Sequence, residues 1–385
     1  MKKIIIAATL FVFLSAASAN SNTYVNYEEL KQSEALKQIP KVSKRFEPLA
    51  SQFITALQHA KSEVQLAAII LQYGDQLWQQ ATTELQDDNY DDRSLYWARL
   101  YMTRNLRSSK IFHQLSAKQQ TRILFDFELA SRGTIDIHFT AKADKKILIT
   151  GFDPFYLHRN IGQSNPSGVA AMYLDGKIIE HKGVTAEIQS LIIPVRFADF
   201  DQGMIETMLT PYFKSADVDM ISTISMGRTD FDLERFPGKR RSSVAPGNLG
   251  VYSGANAKNP IVPFLNGEKL QGPEFVEFSL PVTEMLKATG KYKINDNHKV
   301  QTLEKDWFEA KSLAELEQQT SVNGGGGGYL SNEISYRSIL LRNRYNPTLP
   351  VGHIHTPRIK DWDKEVVKEI VIQIEKMLTL SVNAI

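Results

Sequence analysis

The sequence contains no cysteine among its 385 residues. Disulfide bonds, thiolate nucleophiles, cysteine-based zinc sites and lipid anchors on a cysteine are therefore excluded. The H-E-x-x-H pattern of zinc proteases is also missing, and no glycine-rich segment ends in the G-K-[ST] that reaches a nucleotide. The sequence gives no reason to expect a cofactor.

An excess of charge of either sign is absent as well. The 45 basic and 43 acidic residues leave a formal net charge of +2, and the one short basic cluster, at residues 239–241, is typical of a solvated loop. Because nucleic-acid binding needs a basic surface, we do not expect a nucleic-acid partner. Hydrophobic residues make up 42% of the chain, which is ordinary for a globular protein.

Long apolar runs are scarce, and the one that stands out lies at the start. Lys2 and Lys3 precede the apolar residues 4–14, which lead to Ala-Ser-Ala at residues 17–19. This order is typical of a secretory signal, and the run is too short to span a bilayer. We expect a leader at residues 1–19, a mature protein from about residue 20 without a membrane span, and export to a bacterial periplasm, where thiols tend to be oxidised.

The rest of the chain divides by its periodicity. Residues 20–145 carry apolar side chains at three- and four-residue steps, which predicts a helical N-terminal domain. Residues 146–385 alternate buried-type strands, such as 147–149 and the segment VDMISTISMG, with amphipathic helices. This alternation predicts an α/β domain with helices on both faces of a largely parallel sheet. The turn-rich segment at about 236–318 has no readable pattern.

Functional groups in such sheets gather where strands end. Three candidates are Glu234, Ser331 and His355, which together offer an orienting carboxylate, a nucleophile and a base. Each also has a purely structural interpretation, namely a surface ion pair, a helix N-cap and a hydrogen-bonded strand-end histidine. His353 and His355 alternate on one strand and could share a metal ion, although no third ligand stands at a readable spacing.

The run of five glycines at residues 324–328 directly precedes Tyr329, Leu330 and Ser331. Ordering glycine costs conformational entropy, so such a run is either a slack linker or a turn whose backbone N–H groups face a ligand. A position just before a candidate nucleophile favours the turn.

Five motifs in order then resemble the pyroglutamyl peptidase I family, also called pyrrolidone-carboxylate peptidase. They are ITGFDPF, SNPSGVAAMYLDG, GRTDFDLER, GGYLSN and IHTP, and they extend over residues 146–385. The resemblance implies an α/β/α sandwich, with an insertion around 236–318, and removal of N-terminal pyroglutamate from peptides. It places Tyr329 and Leu330 beside the substrate.

The resemblance also assigns roles to single residues. Glu234 and His355 match the family's catalytic glutamate and histidine, and Asn165 matches an asparagine of the substrate site. Phe152 and Phe155 match two phenylalanines that enclose the flat lactam ring, since an uncharged ring amide needs an apolar slot with a few directed hydrogen bonds.

Two positions differ from the family. Ser331 stands where the family has its nucleophilic cysteine, and Ile224 stands where many relatives have a glutamine that binds the lactam. Three functions stay open on this sequence. They are a peptidase that uses Ser331, His355 and Glu234, a catalytically silent binding protein on the same fold, and an interaction protein that acts through its helical domain.

Overall fold

A computed structural model describes residues 25–385, and the expected leader at residues 1–19 lies outside this part of the chain. The helices are α1 Tyr27–Leu30, α2 Gln32–Gln38, α3 Pro40–Ser43, α4 Glu47–His59, α5 Glu63–Glu84, α6 Arg93–Ser108, α7 Lys110–His113, α8 Ala117–Ala130, α9 Pro166–Leu174, α10 Phe197–Asp201, α11 Met204–Ser215, α12 Val282–Met285, α13 Leu330–Tyr345 and α14 Lys364–Ser381. A π-helical turn, Leu85–Asn89, and two 3-10 turns, Leu313–Leu316 and Val382–Ala384, accompany them.

The strands are β1 Lys145–Phe152, β2 Ile178–His181, β3 Val184–Ile193, β4 Met220–Met226, β5 Phe231–Glu234, β6 Phe264–Leu265, β7 Glu268–Lys269, β8 Ile294–Asn297, β9 Lys299–Thr302, β10 Phe308–Glu309, β11 Ser321–Asn323 and β12 Val351–Thr356. The main sheet has the order β2-β3-β1-β4-β12-β5-β8. Strands β3, β1, β4 and β12 are parallel, whereas β2 and β5 run antiparallel to β3 and β12.

The longer helices before β1, namely α4, α5, α6 and α8, pack through apolar side chains. Ser62 caps α5 by accepting a hydrogen bond from the N–H of Gln65, and α5 pairs with α8. Phe53 of α4 stacks on Phe127 of α8 with ring centroids 5.5 Å apart, and both are fully buried. The helical region predicted from the three- and four-residue steps is confirmed.

Helices cover both faces of the main sheet. Every residue of β4 is buried, which requires a layer on each side of this central strand. Helix α9 packs on α14, α11 packs on α13, and both α9 and α13 contact β4. The predicted α/β fold, with helices on both faces of a mostly parallel sheet, is confirmed.

A continuous apolar core runs from the N-terminal helices into the sheet. The connection at residues 131–144 lies alongside β3 and is hydrogen-bonded to it. The Ile192 N–H donates to Arg132 O over 3.0 Å, and the Thr140 N–H donates to Glu187 Oε2 over 2.7 Å. The proposed boundary between two domains stays a prediction. Among residues 25–385, no helix combines the length and the apolar character that crossing a membrane requires.

The segment at about 236–318, for which the sequence pattern predicts no fold, is built from short elements. Strands β6 and β7 form a hairpin, and β9 pairs with β10 and β11 in a small sheet. Strand β8 instead extends the main sheet beside β5. Arg241 ties the segment to Glu333 of α13, whereas Arg240 pairs with Glu274 inside the segment. A small apolar cluster that includes Phe236, Phe275 and Val300 forms the core of the segment.

Candidate active site

The site forms at the edge of the sheet where three neighbouring strands, β1, β4 and β12, end. Phe152 ends β1, Met226 ends β4, and His355 lies one residue before the end of β12. These strands are parallel, so their carboxyl ends meet at one edge of the sheet. Because β5 runs the other way, Glu234 at its end reaches His355 diagonally across the strand pair.

Glu234 and His355 form a close pair. The Nδ1 atom of His355 donates to Glu234 Oε1 over 2.5 Å, and Asn297 Nδ2 donates to Glu234 Oε2 over 2.6 Å. Burial raises the pKa of the Glu234 carboxyl above its ordinary value, and the hydrogen bonds from His355 and Asn297 act in the opposite direction. With Nδ1 occupied, Nε2 is the ring nitrogen left for the cleft that His355 lines.

The glycine run forms an ordered turn against this pair. Gly324 and Gly327 exchange backbone hydrogen bonds of 2.9 and 3.0 Å, and Gly327 has a φ of +83°, which favours glycine. A Cβ on Gly325 would lie 2.6 Å from Glu234 Oε2. The run is therefore packed into the site, and its small residues let the backbone approach the carboxylate.

Ser331 shares a cleft with His355 and Glu234 but is not bonded to the imidazole. Its hydroxyl donates to the carbonyl of Gly326 over 3.2 Å. In the described chain, no hydrogen bond joins Ser331 to His355. The N-cap interpretation of Ser331 is wrong, because Tyr329 occupies the cap position and the Ser331 hydroxyl bonds to the preceding turn.

An apolar slot adjoins this cleft. Its walls are Phe152, Phe155, Val195, Met226, Tyr329 and Leu330, its polar members are Asn165, Ser225 and Ser331, and its cavity volume is about 30 Å³. Ser331 lines both the slot and the polar cleft. The structure therefore brings together all eight residues that the sequence had placed in a site.

The two phenylalanines and Asn165 have further contacts. Phe152 lies parallel to Phe200 with ring centroids 6.5 Å apart, and Phe155 packs on Tyr156. Asn165 caps α9, because its Oδ1 accepts from the Ser167 N–H, while its Nδ2 donates to Asp153 O over 3.0 Å. Both ends of the Asn165 carboxamide are thus hydrogen-bonded within the protein, and Asn165 stabilises the structure around the slot.

Two buried carboxyl groups tie the helical region to the slot. Asp153, between the slot phenylalanines, accepts from Arg99 of α6 at 2.9 and 3.0 Å and from Arg132 at 2.8 Å. Asp92 at the start of α6 accepts from the Asn165 N–H and, over 2.6 Å, from the Ser164 hydroxyl. The N-terminal helices therefore fix the loop between β1 and α9.

Sequence reasoning missed several lining residues. Asn297 completes the hydrogen bonds of Glu234 from a segment without readable pattern, and no spacing could have revealed it. Arg228 and Arg358 line the mouth of the polar cleft. Arg228 lies in the GRTDFDLER motif directly after β4, so its place in the site could have been predicted from the sequence.

His353 does not pair with His355 in a metal-binding arrangement. Its Nδ1 and Nε2 lie 2.7 Å from Thr223 Oγ1 and Ser225 Oγ, respectively, and its ring meets that of His355 edge-on at 4.9 Å. Among the described residues no group of three or more potential ligands gathers for a metal ion.

Two family models match the chain. The model described as the PA0049 N-terminal domain matches residues 14–128, and that described as the PA0049 C-terminal domain matches residues 146–269 and 291–360. Among curated proteins, PA0049 of Pseudomonas aeruginosa, described as uncharacterised, is 29% identical over 355 residues. The match covers 71% of this chain and 64% of the relative, so the chain spans less than two thirds of that protein's length.

Two solved peptidase structures are also similar. A mutant pyrrolidone carboxyl peptidase of Pyrococcus furiosus has 19% identity and a TM-score of 0.43, with 62% of this chain and 99% of that chain covered. Pyroglutamyl peptidase I of Bacillus amyloliquefaciens has 21% identity and a TM-score of 0.40, with 62% and 93% covered.

Proposed function

The chain belongs to the PA0049 family, and we propose that it is a peptidase that removes N-terminal pyroglutamate with Ser331, His355 and Glu234. The observation that carries the proposal is the 2.5 Å pair of His355 and Glu234, which faces the cleft that Ser331 lines. A carboxylate on Nδ1 holds the imidazole in the tautomer whose Nε2 can accept a proton.

The chemistry starts with a rotation of the Ser331 side chain away from Gly326. His355 Nε2 then takes the hydroxyl proton while Oγ bonds to the carbonyl carbon of the pyroglutamyl residue. The carbon–nitrogen bond to the next residue breaks, and the proton on Nε2 passes to the leaving amine. Water, deprotonated by the same imidazole, hydrolyses the ester and frees pyroglutamate and Ser331.

The slot supports the choice of substrate. Phe152 and Phe155 offer apolar aromatic walls to a flat and uncharged ring, and Ser331 lies where this slot meets the polar cleft. A pyroglutamyl peptide bound with its ring in the slot would place its first peptide carbonyl at Ser331 and its remaining chain in the cleft. Backbone N–H groups at the start of α13 are then available for the developing oxyanion.

The proposal also depends on serine being able to replace cysteine. A thiol beside histidine forms a resting thiolate, whereas a hydroxyl gives up its proton only during attack. Serine therefore relies more heavily on a well-oriented base. The two hydrogen bonds to the Glu234 carboxylate, from His355 and Asn297, supply that orientation.

The test is release of fluorophore from pyroglutamyl aminomethylcoumarin by purified protein. Ser331→Ala should lower kcat at least about a thousandfold, and Glu234→Gln roughly a hundred- to ten-thousandfold. Ser335→Ala is the matched control, because Ser335 lies one turn further along α13 and is fully buried. Equal rates for wild type and Ser331→Ala would end the peptidase proposal.

A catalytically silent binding protein is the second candidate. The hydrogen bond from the Ser331 hydroxyl to Gly326 O favours it, since it leaves His355 without the nucleophile. This candidate expects pyroglutamyl peptides to raise the melting temperature without being cleaved. Cleavage that depends on Ser331 would rule it out.

We also propose that the protein acts after export, on the basis of the sequence of its first 19 residues. Fractionation of bacterial cells and determination of the mature N-terminus would test this. A protein that stays in the cytoplasmic fraction with Met1 retained would contradict it.

A further inference from the structure

The slot contains one polar side chain without an assigned task. Asn165 caps α9 and supports Asp153, and Ser331 is the proposed nucleophile. Ser225, near the end of β4, is the remaining polar side chain of the slot. Its neighbour Ile224, which stands where relatives carry a lactam-binding glutamine, is fully buried, and strand alternation turns it to the opposite face of the sheet.

Ser225 belongs to a chain of three buried side chains. Its Oγ lies 2.7 Å from His353 Nε2, and His353 Nδ1 lies 2.7 Å from Thr223 Oγ1. His353 is fully buried, and burial together with the nearby His355 holds its pKa well below the usual value. The ring is therefore neutral, with one nitrogen that donates and one that accepts.

The surroundings of Thr223 decide which nitrogen donates. Its hydroxyl lies 3.3 Å from the backbone carbonyl of Gly352, which can only accept. A Thr223 proton directed to this carbonyl leaves Nδ1 of His353 to carry the ring hydrogen and to donate to Thr223. Nε2 then accepts the proton of Ser225, and the Ser225 oxygen turns its lone pairs to the slot.

We propose that Ser225, oriented by His353, accepts a hydrogen bond from the ring N–H of a five-membered lactam and so selects lactams over rings without this N–H. The inference rests on the proposed function for its substrate class and adds the group that reads the ring. An apolar slot alone would admit a lactone of the same shape almost equally well. A fixed acceptor distinguishes them, because a ring oxygen facing the Ser225 oxygen leaves both unpaired.

The test compares the binding of two probes by calorimetry. They are 5-oxopyrrolidine-2-carboxamide and its lactone counterpart, in which oxygen replaces the ring N–H. Wild type should bind the lactam about tenfold more tightly, and Ser225→Ala should bring the two affinities close together. Ser222→Ala is the matched control, since Ser222 lies fully buried on the same strand but on its other face.

His353→Phe tests the positioning role separately. It leaves the Ser225 hydroxyl in place but free to rotate, so the preference for the lactam should fall while the lactone affinity stays near that of wild type. A loss of both affinities together would indicate disturbed packing and would count against the orienting role.

The outcomes separate this inference from the peptidase proposal. A lactam preference that survives in Ser225→Ala, or a wild type that binds neither probe, overturns the inference. If turnover depends on Ser331 while the preference in Ser225→Ala is unchanged, the peptidase stands and the inference falls. If nothing is cleaved but Ser225→Ala abolishes the preference, the inference stands and the peptidase falls.

Discussion

Replacing Asp153 by asparagine tests how strongly the N-terminal helices stabilise the slot. Asp153 is 3% exposed and accepts hydrogen bonds from Arg99 and Arg132, which are 1% exposed each. Asp153→Asn keeps the shape of the side chain and removes its charge. Two buried guanidinium groups then lose a common partner.

The expected cost follows from the surroundings of these groups. Breaking a buried ion pair from one side costs about 3–5 kcal/mol. Arg132 keeps its contact with Glu128, whereas Nε and Nη2 of Arg99 have no hydrogen-bond partner among residues 25–385. Ionisation of Glu28 offsets part of this cost. Burial raises the pKa of Glu28, and the negative charge of Asp153 raises it further, so Glu28 ionises more readily once Asp153 is neutral. We therefore expect about 3 kcal/mol, the lower end of the range.

Urea unfolding measures this free energy, provided that the m-value of the variant equals that of wild type. Glu369→Gln is the control, because its pair with Lys291 lies on the surface and should contribute nothing measurable. Arg99→Met added to Asp153→Asn should recover part of the loss. A cost below about 1 kcal/mol for Asp153→Asn, at unchanged m, would refute the reasoning.

Two further predictions concern Asp92 and Gly325. Burial raises the pKa of Asp92 to about 8, so its ionisation destabilises the fold progressively as pH rises from about 4, the unfolded-state value, toward 8. Asp92→Asn should therefore gain stability over wild type, by up to about 1.4 kcal/mol per pH unit in urea unfolding, and a difference that is constant with pH would contradict this. Gly325→Ala would place a methyl group 2.6 Å from Glu234 Oε2 and should lower the stability by about 1–3 kcal/mol. Gly162→Ala is the control, because its added methyl group would lie 3.5 Å from the nearest atom and should cost no stability. Equal melting temperatures for the two variants would contradict the predicted clash.

Local pattern was sufficient for the central strands and the long helices. The apolar residues 147–149 became part of β1, and the segment before Arg228 became β4, in which apolar and small hydroxyl side chains are all buried. The four-residue steps near the C-terminus likewise became α14. Pattern failed at about 236–318, where elements of two to four residues are held by arginine–carboxylate pairs that leave no periodic signal.

The site was only partly accessible from sequence. Family motifs named Glu234 and His355, and the structure places them in contact. Asn297 and the Ser225–His353 contact depend on which strands become neighbours, and single-sequence spacing carries no such information. The same holds for the hydrogen bond from Arg99 to Asp153, which joins residues 54 positions apart in the sequence.

The connection at residues 131–144, hydrogen-bonded along β3, has a consequence for proteolysis. A single cut there would break the chain without releasing its pieces, because the backbone beside the cut stays paired to the strand and apolar side chains from both pieces interlock. The nicked protein should elute as one particle in gel filtration and come apart only in denaturant. The slot would keep its shape, because Arg99 holds Asp153 through hydrogen bonds that a cut in the connection does not break.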